Sequence, residues 1–394
     1  MKLLVLLSRF PYPLDKGDKL RAFHQLRYLA GQGHDICLLA LSDEPVPAEA
    51  LAAVRPLCRG GLHLYQLGRL GRGRGLARAL ATAGRPLQVG YFYEQKAQQL
   101  VDKLLAEFRP NHVYCQLIRM AEYLRPHAGR YPMTLDYMDV FSAGMARRAA
   151  TAPAWQRPVL ALEARRLAAY EAAAYGWFGH HTIISEQDRQ LIQHPQKDKI
   201  TVVPNGIDFT YFQPQPQAEK PATCFSAATW ATIPTWTPPA GWPRKSCPWC
   251  GSSTRRPGCC WPAPRPAPSA RAGRLAGGSG QRLAARHPHG LRRGAGVRGS
   301  HAGRYGPAKQ ALGGDGHAVA VRHYPLAHNA LGGTPGRHLL VADTAPALAD
   351  ALAGLLADAT AAARLAAAGR TFVAETYDWA AATARLENLF LDNC

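Results

Sequence analysis

From Lys2 to Pro204, short and almost unbroken apolar runs alternate with stretches whose apolar positions recur every three or four residues. The runs "KLLVLLS", "DICLLAL", "NHVYCQL", "MTLDYMD", "HTIIS" and "KITVVP" have the length and continuity of strands buried on both faces. Between them lie "GDKLRAFHQLRYLAGQG", "PAEALAAVRPL", "QKAQQLVDKLLAEF", "PVLALEARRLAAYEAAAYG" and "EQDRQLI", which read as helices. In the first of these, Leu20, Phe23, Leu26 and Leu29 share one face, with Asp18 placed as an N-cap and Gly31 as a C-cap. Strands buried on both sides and alternating with helices require a parallel sheet covered by helices on each face, a doubly wound α/β domain. The opening "MKLLVLLSRFPYP" is too short an apolar run for a secretion signal and has no small-residue cleavage site. No run of 18 apolar residues occurs, so a soluble cytoplasmic protein is expected.

Past Lys220 the periodicity stops. The interval 222–323 holds 15 Lys and Arg, 13 of them Arg, against the single acid Asp315, out of 47 basic and 27 acidic residues in the whole chain. What remains, 32 basic and 26 acidic residues, is ordinary. Five of the nine cysteines and five of the eight tryptophans also fall in this interval. Cys247, Cys250, Cys259 and Cys260 offer one C-x-x-C pair, but the second pair is adjacent in sequence and suits tetrahedral zinc poorly. A redox C-P-W-C would open a helix after a strand, and no such context surrounds it. Arg and Trp interleave as a single-strand nucleic-acid binder requires, yet no aromatic platform lies on a recognisable sheet. Order returns with "HLLVAD" as a strand, "ALADALAGLLAD" as an amphipathic helix, and a helical tail through "AAGRTFVAETYDWAAATARLENLFLD".

The patterned portions resemble the family-4 glycosyltransferases of the GT-B fold, in particular the sugar transferases associated with the PEP-CTERM and exosortase exopolysaccharide system. The residues that carry the resemblance are "RFPYPLDKGDKLRAFHQLRYLA", "RPLQVGYFYE", "LDYMDVFSAGMARRAA", "YEAAAYGWFGHHTIISEQDRQLI", "ITVVPNGIDFTYFQP", "HYPLAHNALGGTPGRHLLVAD" and "AAGRTFVAETYDW". The resemblance implies an α/β chain of GT-B type, two Rossmann-like domains with the second disrupted. It places an acceptor-side domain at 1–208, a linker and the start of the second domain at 209–225, an irregular segment at 226–323, and the rest of the donor-side domain with the terminal helix at 324–394. It further implies a hexosyltransferase-type enzyme that moves a sugar from a UDP- or GDP-sugar to a lipid-linked or polysaccharide acceptor in exopolysaccharide biosynthesis. No bound cofactor, metal or nucleic acid is expected, and the protein would sit in the cytoplasm, peripherally at the inner face of the membrane. "LDYMD" spaces its acids as D-x-x-D, not as the metal-binding D-x-D. The alternatives are a sugar-nucleotide 2-epimerase on the same fold, or a zinc- or nucleic-acid-binding module in 245–323.

The family's G-N-M-x-Y-x-P-N-x-D and G-x-G-x-x-N-K-x-L-E-A-M-A segments are absent from the chain. Back-translating "AATWATIPTWTPPAG" from the third base of each codon permits G-N-M-G-Y-H-P-N-V-D, and the single Trp codon at Trp230 and at Trp236 supplies the bases required. Back-translating "SHAGRYGPAKQALGGDGHAVAVRHY" from the second base permits P-M-Q-V-G-T-G-L-Q-N-K-L-L-E-A-M-A-M-P, which runs into Pro325. Residues 226–323 are therefore expected to be the frameshifted translation of a glycosyltransferase gene. As it stands, the chain is expected to lack transferase activity.

Several residues are candidates for the site. "PLDKGDKLR" joins the first strand to the first helix, where backbone N–H groups meet anions; Gly17 permits close approach, and Asp18, Lys19 and Arg21 supply polar and charged groups. An ordinary turn with solvated charges fits the same residues. Asp136 and Asp139 end a strand at the edge where open α/β sheets bind ligands. Asp139 is the candidate general base for an acceptor hydroxyl, and capping or turn roles serve both acids equally well. Ser185 and Glu186 match the family's helix-opening pair, where Ser is also a good N-cap. Asn205 and Gly206 match its interdomain turn, with Gly206 expected to take a positive φ. His180 and His181 are expected to be structural, and "GRGRG" at Gly71 to Gly75 a basic surface loop.

Overall fold

The computed structural model describes residues 1–82, 84–209, 332–341 and 357–392, with shorter pieces at 225–226, 296–299, 320–323 and between 347 and 355. The chain divides into two compact units, Met1–Gly206 together with Tyr377–Cys394, and Ile207–Thr376.

The first unit is built on seven strands: β1 (Lys2–Leu7), β2 (Asp35–Ser42), β3 (Gly61–Gln66), β4 (His112–Gln116), β5 (Met133–Asp136), β6 (His180–Ile183) and β7 (Thr201–Val202). Their order across the sheet is β3-β2-β1-β4-β5-β6-β7, and every pairing is parallel. The period-2 alternation of a strand divides β1 between two cores. Leu4 and Leu6 point into one with Leu39, Val101, Leu105 and Ile118, whereas Leu3, Val5 and Leu7 enter the other with Leu26, Leu29, Ile36 and Leu38. Full burial of such a side chain stabilises the fold by about 1.5–3 kcal/mol, which explains why β1 and β2 carry almost no polar residues.

The helices are α1 (Gly17–Gly31), α2 (Ala48–Val54), α3 (Arg69–Ala81), α4 (Leu87–Phe92), α5 (Gln95–Phe108), α6 (Ile118–Leu124), α7 (Phe141–Thr151), α8 (Arg157–Tyr175) and α9 (Glu186–Leu191). Gly71 to Gly75 lie within α3, not in the surface loop expected of them. Tertiary contact overrides the low helix propensity of glycine here. A Cβ on Gly75 would lie 2.0 Å from the Gly90 carbonyl oxygen, and one on Gly90 would lie 2.6 Å from the Ala79 Cβ. The two glycines let α3 and α4 approach backbone to backbone.

The expected boundary left the whole tail with the second domain, but the chain returns to the first unit at Tyr377. The tail is two helices, α10 (Ala359–Thr376) and α11 (Trp379–Leu391). Asp378 starts the second, its carboxylate accepting the Ala381 N–H at 2.7 Å. Ala382, Leu386 and Phe390 of α11 are buried in the core that holds Leu3 and Val5. Trp379 stacks on His24 at 4.8 Å, Phe390 meets the His112 ring at 4.6 Å, and Glu387 lies 2.7 Å from His34 Nε2.

In the second unit, β8 (Phe225–Ser226), β9 (Gly296–Gly299), β10 (Ala320–His323) and β11 (Leu340–Val341) form a parallel sheet in the order β11-β10-β9-β8. Between 226 and 323, only these short strands are described. Cys247, Cys250, Cys259 and Cys260 lie outside the described residues.

Candidate active site at the carboxyl edge of the first sheet

The chain leaves β1 through α1, which packs on one face of the sheet, and leaves the neighbouring strand β4 through α6, which packs on the other. This reversal between adjacent strands makes a topological switch point, where open α/β sheets take their ligands. Of the three non-glycine residues with positive φ among the described residues, two stand at this edge: Leu117 (φ 69) after β4 and Met138 (φ 57) after β5. Such conformations cost about 1–3 kcal/mol each and collect at functional sites. The third, Arg109, is a left-handed helix end.

The β1–α1 loop meets this edge. Arg9 Nη1 binds Asp18 Oδ2 at 2.8 Å, Gln116 Nε2 approaches the Asp18 carbonyl oxygen at 3.4 Å, and Lys19 pairs with Asp15 at 3.0 Å. Gly17 opens α1 and Lys16 holds the N-cap place, so Asp18 is a first-turn residue and not the cap.

Arg21 and Asp136 are not at a surface. Both are fully buried, joined Nε to Oδ2 at 2.6 Å. Arg21 Nη1 also donates to the Val203 carbonyl (2.9 Å) and to Asn205 Oδ1 (3.0 Å), while Tyr114 Oη donates to Asp136 Oδ2 at 2.6 Å. Asp136 Oδ1 accepts the Met138 N–H at 3.0 Å. The acid at Asp136 holds the Arg21 guanidinium charged in a desolvated place and lifts its pKa against the opposing effect of burial. Arg21, Asp136 and Asn205, expected among the ligand-binding groups, are used on one another. They tie α1, β5 and the exit from β7 together, while Arg21 Nη2 is buried and finds no partner among the described residues.

Gly206 does not take a positive φ. Its small size serves Trp379 instead: a Cβ there would lie 2.5 Å from the indole Cγ and 2.6 Å from the Trp379 backbone nitrogen. Ser185 caps α9, accepting the Asp188 N–H at 3.1 Å, and Glu186 is an exposed partner of Arg189 at 2.7 Å. His181 stacks on Tyr175 at 3.9 Å and bonds its carbonyl, and burial lowers its pKa to about 4. His180 is half-buried at the start of β6.

Asp139 is half-buried just beyond the Met138 turn, and its field falls on Arg119. Arg119, in the first turn of α6, was not singled out from the sequence. Its guanidinium lies over the rings of Phe92 (4.9 Å) and Phe141 (4.7 Å), and its Nη2 donates to Gln88 Oε1 at 2.9 Å. Its Nε is buried and finds no partner among the described residues. Burial above all, then Arg9, lowers its pKa to about 10, while Asp18, Asp139 and Asp43 oppose the shift. The sequence signal was positional: "LIRM" follows directly on the carboxyl end of β4. Arg9, Asp18, Arg119 and Asp139 thus gather two cations and two carboxylates at the switch point, a set able to hold hydroxyl groups and to take up a proton. Among the described residues no group of three or more His, Cys, Asp or Glu converges on a metal position.

No family model matches the chain, and no curated protein sequence does. Solved structures match along its full length. Sucrose-phosphate synthase from Thermosynechococcus elongatus superposes with a TM-score of 0.63 at 13% identity, covering 100% of this chain and 99% of that one. HepE from Anabaena, in complex with UDP, gives 0.56 at 10% identity with 100% of both chains covered. A glycosyltransferase from Rickettsia africae gives 0.57 at 10% identity, covering 99% of this chain and 98% of its own. At these identities the likeness shows the fold, which is α/β of GT-B type.

Proposed function

We propose that the chain belongs to a lineage of nucleotide-sugar-dependent glycosyltransferases acting on a lipid-linked or polysaccharide acceptor in exopolysaccharide biosynthesis. The observation that carries this reading is the end-to-end GT-B fold shared with HepE, which has been seen in complex with UDP and with UDP-glucose. It favours a UDP-sugar over a GDP-sugar as donor. In this reading Asp139 takes the proton from the acceptor hydroxyl as the bond to the sugar forms, and Arg119 and Arg9 orient the acceptor through its oxygens. The leaving diphosphate needs cations or helix N-termini. The donor-side groups that would supply them fall in the interval 226–323, where N-K-x-L-E-A-M-A is recovered only by shifting the frame.

Resequencing the gene across the codons for residues 220–330 and assaying both chains tests this reading. The frame-restored chain is expected to bind UDP and to transfer sugar, and the chain as it stands to do neither. An uninterrupted frame encoding the present sequence, or turnover by the present chain, overturns the frameshift. A restored chain that inverts C2 of the sugar nucleotide with no acceptor present is an epimerase, and the transferase reading falls.

A further inference from the structure

Among the described residues nine large apolar side chains stand exposed, and five of them lie on two neighbouring parts of the first unit: Leu70 and Leu80 on α3, and Trp155, Val159 and Leu162 just before and at the start of α8. Trp155 and Leu70 are 78% and 80% exposed. Val159, Leu162 and Arg166 recur at helical spacing along one stripe of α8. That stripe meets α3, because Arg166 Nη1 donates to the Ala79 carbonyl at 3.4 Å, next to exposed Leu80. Glu163 anchors the same stretch of α8 to the start of α4 through the Leu87 and Gln88 N–H groups. The two apolar groups therefore border one another.

The exposed charge on this surface has one sign, the half-buried Glu94 beside the first turn of α3 being held by the Gly68 N–H and the Tyr65 hydroxyl. Arg69, Arg74 and Arg78 on α3 and Arg147, Arg148, Arg157 and Arg165 on α7 and α8 are all exposed. Residues 69–92 contain no acid, and residues 141–175 contain only Glu163 and Glu171, both buried. Glu163 is held by the α4 N–H groups and Glu171 by Ser142. Exposed arginines with interspersed Trp and Leu, and no exposed carboxylate, match an anionic lipid surface: apolar side chains enter the acyl boundary while guanidinium groups meet phosphates. None of the described helices is long and apolar enough to cross a membrane, so the contact would be interfacial.

We propose that the face formed by α3, the α7–α8 connection and the first turns of α8 docks on anionic phospholipid. It gives the peripheral association expected of this chain a definite surface. The geometry also gives it a use. Phe92 closes α4 and Phe141 opens α7, and both flank Arg119 at the carboxyl edge of the sheet. A docked lipid surface would therefore lie beside the residues assigned to the acceptor. That last step rests on the proposed transferase reading, whereas the docking itself does not.

Sedimentation of the full chain with vesicles tests the proposal, using phosphatidylcholine alone and phosphatidylcholine mixed equally with phosphatidylglycerol. Binding is expected to the anionic vesicles only, weakening as salt rises. Replacing Arg74, Arg78 and Arg165 by Glu is expected to lower partitioning on the order of 100-fold. The matched replacement of exposed Arg27, Arg59 and Arg130 by Glu should change it little, although it alters net charge equally. Trp155 is expected to be quenched by brominated lipid, and the quenching to fall in Trp155→Phe, a change that leaves packing and charge intact. Equal loss in the two Arg triples overturns the proposal, since net charge alone would then govern binding. So does failure to bind anionic vesicles, whether or not the face retains nucleic acid instead. Vesicle binding without sugar transfer leaves the docking face standing, and sugar transfer without vesicle binding removes it alone.

Discussion

Arg21 Nε donates to Asp136 Oδ2 at 2.6 Å in a place neither side chain shares with solvent. The contact joins residues 115 positions apart, and the same guanidinium reaches Val203 and Asn205 a further 67 or more positions along. One side chain thus fixes the first helix, the fifth strand and the segment leaving the sheet.

Removing one partner strands the other as a buried charge. Arg21→Met is expected to lower unfolding stability by about 3–5 kcal/mol, read as a shifted urea midpoint. The double variant Arg21→Met with Asp136→Leu should lose less than Arg21→Met alone, because no uncompensated ion remains. Additive losses would show that the two groups act independently.

Gly206→Ala places a methyl group against the Trp379 ring and backbone at 2.5–2.6 Å. Overpacking of this kind costs about 1–3 kcal/mol. The expected outcome is earlier proteolysis within residues 377–392 and a red shift of Trp379 emission that is absent in Gly206→Ala with Trp379→Phe. Unchanged protease resistance would mean that α11 shifts to make room at little cost.

Glu171 accepts the N–H and the hydroxyl of Ser142 in a buried site, and burial raises its pKa from 4.5 to about 6. The folded state therefore holds this proton more tightly than the unfolded chain. Its contribution is complete below pH 4.5 and is lost as pH rises to about 6. The loss amounts to about 2 kcal/mol. Buried His181, lowered to about 4, works in the opposite direction, adding stability as pH rises from 4 towards 6.5. Only the difference between wild type and Glu171→Gln isolates the glutamate. That difference should move in favour of the variant between pH 4.5 and 6, and a flat difference would place the carboxylate in contact with water.

In the proposed transferase reading, Asp139 and Arg119 divide chemistry from binding. In the frame-restored chain, Asp139→Asn is expected to lower kcat by about 10²–10⁴ with KM little changed. Arg119→Met should chiefly raise the acceptor KM. A loss in Asp139→Asn confined to KM would remove its role as base.

Much of the first unit was legible because a parallel sheet writes itself as unbroken apolar runs. All six strands read from the sequence stand in the sheet within a few residues of their expected ends. Gly61–Gln66 escaped because β3 is the edge strand, and its half-buried "GLHLYQ" lacks that continuity. Gly71 to Gly75 read as a loop because the glycines of this stretch answer to contact with α4, which no local window reveals. For the site, position was readable and pairing was not. Sequence placed Arg21 and Asp136 at the carboxyl edge of the sheet, but only the fold shows that their charges close on each other, and that Arg119 lies within the field of Asp139. The return of α11 was hidden for the same reason: the amphipathic tail fits any apolar face, and its partner lies more than 350 residues earlier at Leu3 and Val5.

That return has a consequence for how the protein is made. A ribosome releases the first two hundred residues long before Phe390 emerges, so the opening domain waits with the part of its core beside α1 that α11 covers left open until synthesis is nearly complete. Any early stop or slip in reading phase that loses the last eighteen residues damages the beginning of the molecule as well as its end. Under the proposed frameshift, regaining the reading phase near Pro325 would therefore matter first to the amino-terminal half, which receives α11 from beyond residue 323.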